Sequence, residues 1–332
     1  MPSESPPSSP TPVRRWAGRL LRLLLAILPL WWLSTKVAWG DVWLSARRVG
    51  FASMSASFVA AFASYLFGCI RWRIMMRAYG AREVPSVLTM LRHNLIGGYF
   101  NVLPSGVAGD AVRGHRVQQY LPSLATSYTV IFVERITGLL GLCVIAGAAI
   151  LLSNELHADT VALTLELGLL GAFGLSLVVL FLPYVLLKRP ALRDRWLMKV
   201  PVVGELLAKI PPARSLRGPL LATLLSVLTQ GVVILSVALL LRPLAPSVSF
   251  VTCARIVPAV ILFTYVPLTP GGLGQREAAF VYLFGLVGVS ASIATATSLL
   301  FFGIGMALAG LGGLTLLLER TFSIEDRVEK AT

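Results

Sequence analysis

The chain has 332 residues, 56% of them hydrophobic and 13% charged, with a mean hydropathy of +0.79 and a formal charge of +14. Soluble domains hold about 45–50% apolar and about 25% charged residues, so this composition excludes an ordinary soluble enzyme, a disordered protein and a secreted disulfide scaffold. The basic residues border apolar runs instead of forming one stripe, which argues against nucleic acid and fits a polytopic membrane protein.

Residues 1–13 are rich in Pro and Ser and cannot bury a core, so a disordered cytoplasmic tail is expected there. Arg14, Arg15, Arg19 and Arg22 then accompany an apolar run from Leu20 to Leu33. A signal peptide is one reading of that pattern. No small-x-small cleavage site follows, and Trp31-Trp32 suit an interfacial belt, so a retained first span is expected. Longer runs at 50–70, 124–152, 162–187, 219–241 and 291–318 meet the requirement of about 20 apolar residues for a spanning helix. Between them, the stretches 86–120 and 250–288 break at Pro and Gly around Pro104 and Pro270 and resume with charged residues.

Loop charge orients these elements. Twenty-one Lys and Arg lie in 1–19, 71–123, 188–217 and 319–332, against four in 34–49, 153–161 and 242–249. Both termini are therefore expected in the cytoplasm. With that orientation, 86–120 enters and leaves from the cytoplasmic side, and 250–288 dips in from the outer side. The reading is an all-α polytopic membrane protein of about six spanning helices plus two re-entrant hairpins in an inverted repeat. The membrane domain runs over 14–318, with repeat one at 16–152 and repeat two at 162–318, followed by a cytoplasmic tail at 319–332. Inverted repeats with broken helices are the plan of many secondary transporters.

The two hairpin tips share a Pro-x-Gly-apolar-small pattern, at Pro104 to Ala108 and at Pro270 to Gly274. At the first tip, Asn101, Pro104, Gly106, Gly109, Asp110 and Arg113 combine a helix break, a fresh helix N-terminus and a base. Such a terminus attracts anions, and arginines add charge-assisted contacts to phosphate oxygens. The competing reading is a basic loop that only enforces topology. At the second tip, Pro270, Gly271, Gly272, Gly274, Arg276 and Glu277 repeat the arrangement from the side where positive charge is scarce. There the alternative is local pairing of Arg276 with Glu277 as a helix cap.

Glu134 and Arg135 sit ten residues into the run that starts at 124, about 15 Å deep in a core of about 30 Å. Each charge costs about 2.5–3.5 kcal/mol there, so each needs a partner, and Asp110, Arg255, Arg276 and Glu277 are the candidates. They are read either as an ion pair that staples the two repeats or as part of a polar cavity. Tyr99, Tyr120, Tyr128, Trp72 and Trp196 are read as interfacial anchors, and the glycines from Gly303 to Gly313 as close helix packing. Cys69, Cys143 and Cys253 lack CxxC spacing, and no HExxH or P-loop occurs, so neither a metal, a cofactor nor a catalytic set is expected.

Asn101 through Arg113, Val133-Glu134-Arg135 and Thr269 through Glu277 resemble the flippase-like family named for the transmembrane region of lysylphosphatidylglycerol synthase. The resemblance covers nearly all of the chain after the first span. It implies a protein of a bacterial-type inner membrane that moves a lipid, or a lipid-linked head group, between leaflets. Some relatives are described instead as participants in polyprenyl-phosphate sugar or hopanoid metabolism, so a transferase using Asp110, or an accessory protein, is the alternative. The synthases carry an aminoacyl-transfer domain that the fourteen residues after Leu318 are not expected to hold. The expected partners are membrane lipids with anionic or phosphate-bearing head groups, and either a second copy of the chain or a lipid-synthesis enzyme.

Overall fold

The computed structural model describes Thr35 and residues 38–102, 108–152, 168–178, 217–265, 269, 272 and 274–329, with side chains through Glu319. Among them no strand occurs, and the fold is all-α. In chain order the helices are α1 (Trp39–Arg48), α2 (Gly50–Ala78), α3 (Val87–Asn101), α4 (Ala108–Val117) and α5 (Leu124–Leu152). After a helical stretch α6 (Gly168–Val178) come α7 (Arg217–Leu241), α8 (Phe250–Thr264), α9 (Gln275–Gly285) and α10 (Ala291–Glu329). The expected first span at 20–33, most of 162–187, and Pro104, Gly106, Pro270 and Gly271 at the hairpin tips lie outside the described residues.

Among the described residues, four helices are long and apolar enough to cross a membrane: Gly50–Ala78, Leu124–Leu152, Arg217–Leu241 and Ala291–Glu319. The 29 residues of α2 extend about 43 Å, past the 50–70 run read from hydropathy. That extension places Arg71 and Arg73 inside the helix instead of in a cytoplasmic loop. By contrast α3 and α8 have 15 residues each, about 22 Å, and fall short of a core of about 30 Å.

These two short helices are built alike. Ser86 caps α3 by accepting from the Thr89 amide at 3.1 Å, and Ser249 caps α8 by accepting from the Thr252 amide at 3.1 Å. Each is followed by a short helix with an acid in its first turn, Asp110 in α4 and Glu277 in α9. The helix after that is also serine-capped in both cases: Ser123 accepts from the Thr126 amide and Ser290 from the Ile293 amide. A capping hydroxyl satisfies one of the orphan amides at a helix start.

Packing crosses between the two halves. The most extensive helix pair is α2 with α7, followed by α7 with α5. Near the start of α2 and the end of α7, Ser57 and Ser236 exchange bonds to each other's carbonyl oxygens at 2.8 and 3.0 Å. Small and hydroxylated residues are the usual means of joining helices where lipid removes the hydrophobic driving force. The first hairpin helix α3 lies against α10, and α8 lies against α5, so each contacts the last long helix of the other half.

Glycines set the closest approaches. A Cβ on Gly141 would lie 2.6 Å from the Ser226 carbonyl carbon, so α5 and α7 touch backbone to backbone there. Within the glycine-rich last helix, Gly312 and Gly313 fit against Leu95 and Tyr99 of α3, whereas Gly303, Gly305 and Gly310 face open space. The close-packing expectation therefore holds for the last two only. A Gly312→Ala methyl would overlap the Leu95 carbonyl, and the overpacking is expected to cost about 1–3 kcal/mol. Thermal melting in detergent checks this, with Gly310→Ala as the neutral control.

Candidate functional site

Glu134 on α5 is buried, and its two carboxylate oxygens are held by arginines from two other helices. Arg71 of α2 donates to Oε1 at 2.9 Å, and Arg113 of α4 donates to Oε2 at 2.5 Å. Arg71 also donates through Nη1 to the Ser226 hydroxyl of α7 at 2.9 Å. On its other side Arg113 stands 3.5 Å from Asp110 Oδ1, and Asp110 Oδ2 accepts from Nε of Arg135. The result is a row of alternating charge: Arg71, Glu134, Arg113, Asp110, Arg135.

The row contains three guanidiniums and two carboxylates, so one positive charge is left over. Within it, Nε of Arg71, Nε of Arg113 and Oδ1 of Asp110 are buried without a hydrogen-bond partner. Unsatisfied buried polar atoms cost about 1–3 kcal/mol each, more when charged, and in native proteins they call for an explanation. The Arg135 side chain keeps 41% exposure while that of Arg71, at the other end, keeps 10%, so the row has a closed end and an open end.

Local sequence builds this row. Asn101 accepts from the Gly109 amide at 3.0 Å, bonding the end of α3 to the start of α4. A Cβ on Gly109 would overlap the Gly97 carbonyl and the Asn101 amide group, so only glycine lets the two arms close. Gly97 in turn leaves room for the Arg113 stem, whose Cγ and Cδ would lie 2.6 Å from a Cβ there. The Arg113 guanidinium then rests over the buried Trp72 ring, 4.3 Å from its centroid. A cation–π contact of that kind strengthens when water is excluded.

The second tip forms its own group. Gly272 and Gly274 have φ of 71° and 77°, a region that glycine adopts without strain. Glu277 accepts from the Gly274 amide at 2.7 Å and from the Ser298 hydroxyl of α10 at 3.2 Å. Arg276 pairs with the Glu277 carboxylate, donates to Ser298 at 3.2 Å and stacks on Phe302, 4.6 Å from the ring centroid. Gln275 donates to the Phe263 carbonyl at 2.7 Å and so joins the two arms.

The predicted residues thus assemble as two groups. Asn101, Gly109, Asp110, Arg113, Glu134 and Arg135 come together at the first hairpin. Gly272, Gly274, Arg276 and Glu277 come together at the second. Asp110 is a partner of Arg135, as expected. One expectation is corrected: Glu134 is paired by Arg71 and Arg113, neither of them an expected partner, while of the two readings of Arg276 and Glu277 the local pairing is the one observed. The physical reason is position, since residues in the first turn of α9 turn back to its orphan amides. No ion pair among the described residues joins the groups. Tyr265 at the end of α8 nevertheless lies within electrostatic reach of Arg135, Arg71, Asp110 and Glu134.

Sequence reasoning missed Arg71, Trp72, Gly97 and Ser226. Arg71 was assigned to a loop and Trp72 to an interfacial belt, yet Trp72 is fully buried under Arg113. Ile74, Met75 and Met76 continue the apolar run past Arg71 and were the signal that the helix goes on. At the end of α4, Arg116 pairs with Glu319 of α10 at 2.9 Å and approaches His93 Nδ1 at 3.3 Å. Among the described residues no three His, Cys, Asp or Glu side chains converge as metal ligands.

Long apolar helices around a buried ion network define a polytopic membrane protein with a polar centre. The family model of the lysylphosphatidylglycerol synthase TM region matches residues 19–313, and the chain belongs to that family. It is an integral membrane protein of lipid metabolism or transport. No significant match was found among curated proteins or solved structures.

Proposed function

We propose that this protein moves a phosphate-bearing lipid, or a lipid-linked head group, between the leaflets of a bacterial-type inner membrane. The observation that carries the reading is the buried charge row with one positive charge in excess and an open end at Arg135. A single phosphodiester matches that excess. Its oxygens would exchange with the Asp110 carboxylate for Arg135 and Arg113 while the acyl chains stay in lipid. Arg276 is the counterpart at the second hairpin, where Glu277 and Ser298 orient it. The residues assigned to the head group are Asn101, Pro104, Gly106, Gly109, Asp110, Arg113, Glu134, Arg135, Pro270, Gly271, Gly272, Gly274, Arg276 and Glu277.

An inverted repeat, with both termini cytoplasmic, is part of the proposal. Its support is the matched pair of 15-residue serine-capped helices and the reciprocal packing of α3 on α10 and α8 on α5. Single cysteines at 106 and within 188–217 are expected to react only from the cytoplasmic side, and those within 153–160 only from outside. Labelling of position 106 from outside alone would overturn the inverted arrangement.

The functional test is reconstitution of the full chain in liposomes with labelled phosphate-bearing lipids. Transbilayer movement without chemical change supports transport. A new covalent product, dependent on Asp110, would instead assign a transferase.

A further inference from the structure

A short helix outside the charge row carries its own pattern. The ten residues of α1 extend about 15 Å, half the depth of a hydrocarbon core. One face of α1 is used internally: Val42 packs with Ala296 and with Val281, and Val42, Ser45 and Val49 are buried. The opposite face carries Trp39, Trp43 and Arg47 at i, i+4 and i+8, a straight stripe at helical spacing. Trp39, Trp43 and Leu44 keep 50%, 61% and 53% exposure, and Arg47 rests over the Trp43 ring at 4.8 Å. Arg48 is exposed beside it.

The chain then turns sharply into α2. Gly50 has φ of 72°, and no neighbour lies within 4 Å of a Cβ built there, so conformation and not space requires glycine. A positive-φ glycine thus separates this short helix from the long apolar helix that follows it. Its outward stripe combines tryptophan rings, which settle at headgroup level, with arginine stems long enough to reach the phosphates from the same depth. A basic last turn would by itself complement the helix dipole, but that leaves the two open tryptophans without a role.

We propose that α1 lies flat in the membrane interface on the side where α10 begins and holds the phosphates of anionic phospholipids with Arg47 and Arg48. Trp39 and Trp43 anchor its depth. Charge complementarity selects the partner, because this surface offers two guanidiniums and one carboxylate, Asp41, at the far end of the helix. The site is independent of the charge row and of any transport activity.

The test uses the full chain in phosphatidylcholine vesicles that contain, at equal mole fraction, either brominated phosphatidylglycerol or brominated phosphatidylcholine. Quenching lost in a Trp39→Phe/Trp43→Phe variant is the signal from α1. In the wild type, the anionic lipid is expected to quench with about fivefold higher apparent affinity than the zwitterionic one. Arg47→Gln/Arg48→Gln should bring the ratio to about one while both lipids still quench. Should that variant fail to fold, the wild type in about 1 M salt gives the same comparison, since screening removes the preference. Equal quenching by both lipids in the wild type, no α1 quenching by either, or a preference that survives both treatments would overturn the proposal.

Discussion

Glu134→Ala is expected to destabilise the protein by about 3–5 kcal/mol. The substitution leaves Arg71 and Arg113 facing each other in a buried site without the carboxylate that now accepts from both. Only Asp110 would remain against three guanidiniums. Replacing the trio by apolar residues of similar size, Arg71→Met, Glu134→Leu and Arg113→Met, should recover most of that stability, because no uncompensated charge is left. Melting in detergent reads both results. The same triple variant separates the two roles open to these residues. If the row only fastens α2, α4 and α5 together, the triple variant folds and moves lipid normally. If the row receives the head group, the variant folds and moves none.

Arg135→Gln is expected to leave stability nearly unchanged and to lower lipid movement by about tenfold or more. The first half follows from the partners that remain: Asp110 keeps Arg113 at 3.5 Å when Arg135 is neutralised, so no carboxylate is left without a cation. The second half follows from loss of a charge-assisted bond to phosphate, worth about 1.5–3 kcal/mol, or about 10- to 150-fold in a binding or rate constant. Gln keeps a donor for Asp110 and so limits collateral damage. Arg276→Ala should lower movement likewise but also cost stability, about 3–5 kcal/mol, because it leaves the buried Glu277 carboxylate with only the Gly274 amide and the Ser298 hydroxyl. Normal movement in both folded variants would remove them from the path of the head group.

The class of the protein was legible because a bilayer imposes long apolar runs, and α5, α7 and α10 begin within two residues of the runs read from hydropathy. The breaks between α3 and α4 and between α8 and α9 were legible because Pro and Gly punctuate a helix whatever surrounds it. The deep pair Glu134-Arg135 was conspicuous since charge is costly at that depth. Its partners were not, for a specific reason. Hydropathy falls at Arg71, so the apolar segment was ended there, although α2 runs on to Ala78 and turns that arginine inward. A base near a span end looks the same in sequence whether it meets water or a buried carboxylate. Gly97 was equally silent, since its use depends on the Arg113 stem that crosses it from a different helix. The local pairing of Arg276 with Glu277 was weighed as an alternative, and the capping geometry at Gly274 favours it.

Transbilayer movement of head-group-labelled lipids in proteoliposomes tests the central claim most directly. Wild-type protein should move a lipid with one phosphodiester and leave it chemically intact, while a lipid of equal acyl length with an uncharged sugar head stays in its leaflet. Equal movement of the two lipids, or movement of neither, would contradict a site selected by the one positive charge that Arg71, Arg113 and Arg135 hold in excess of Glu134 and Asp110.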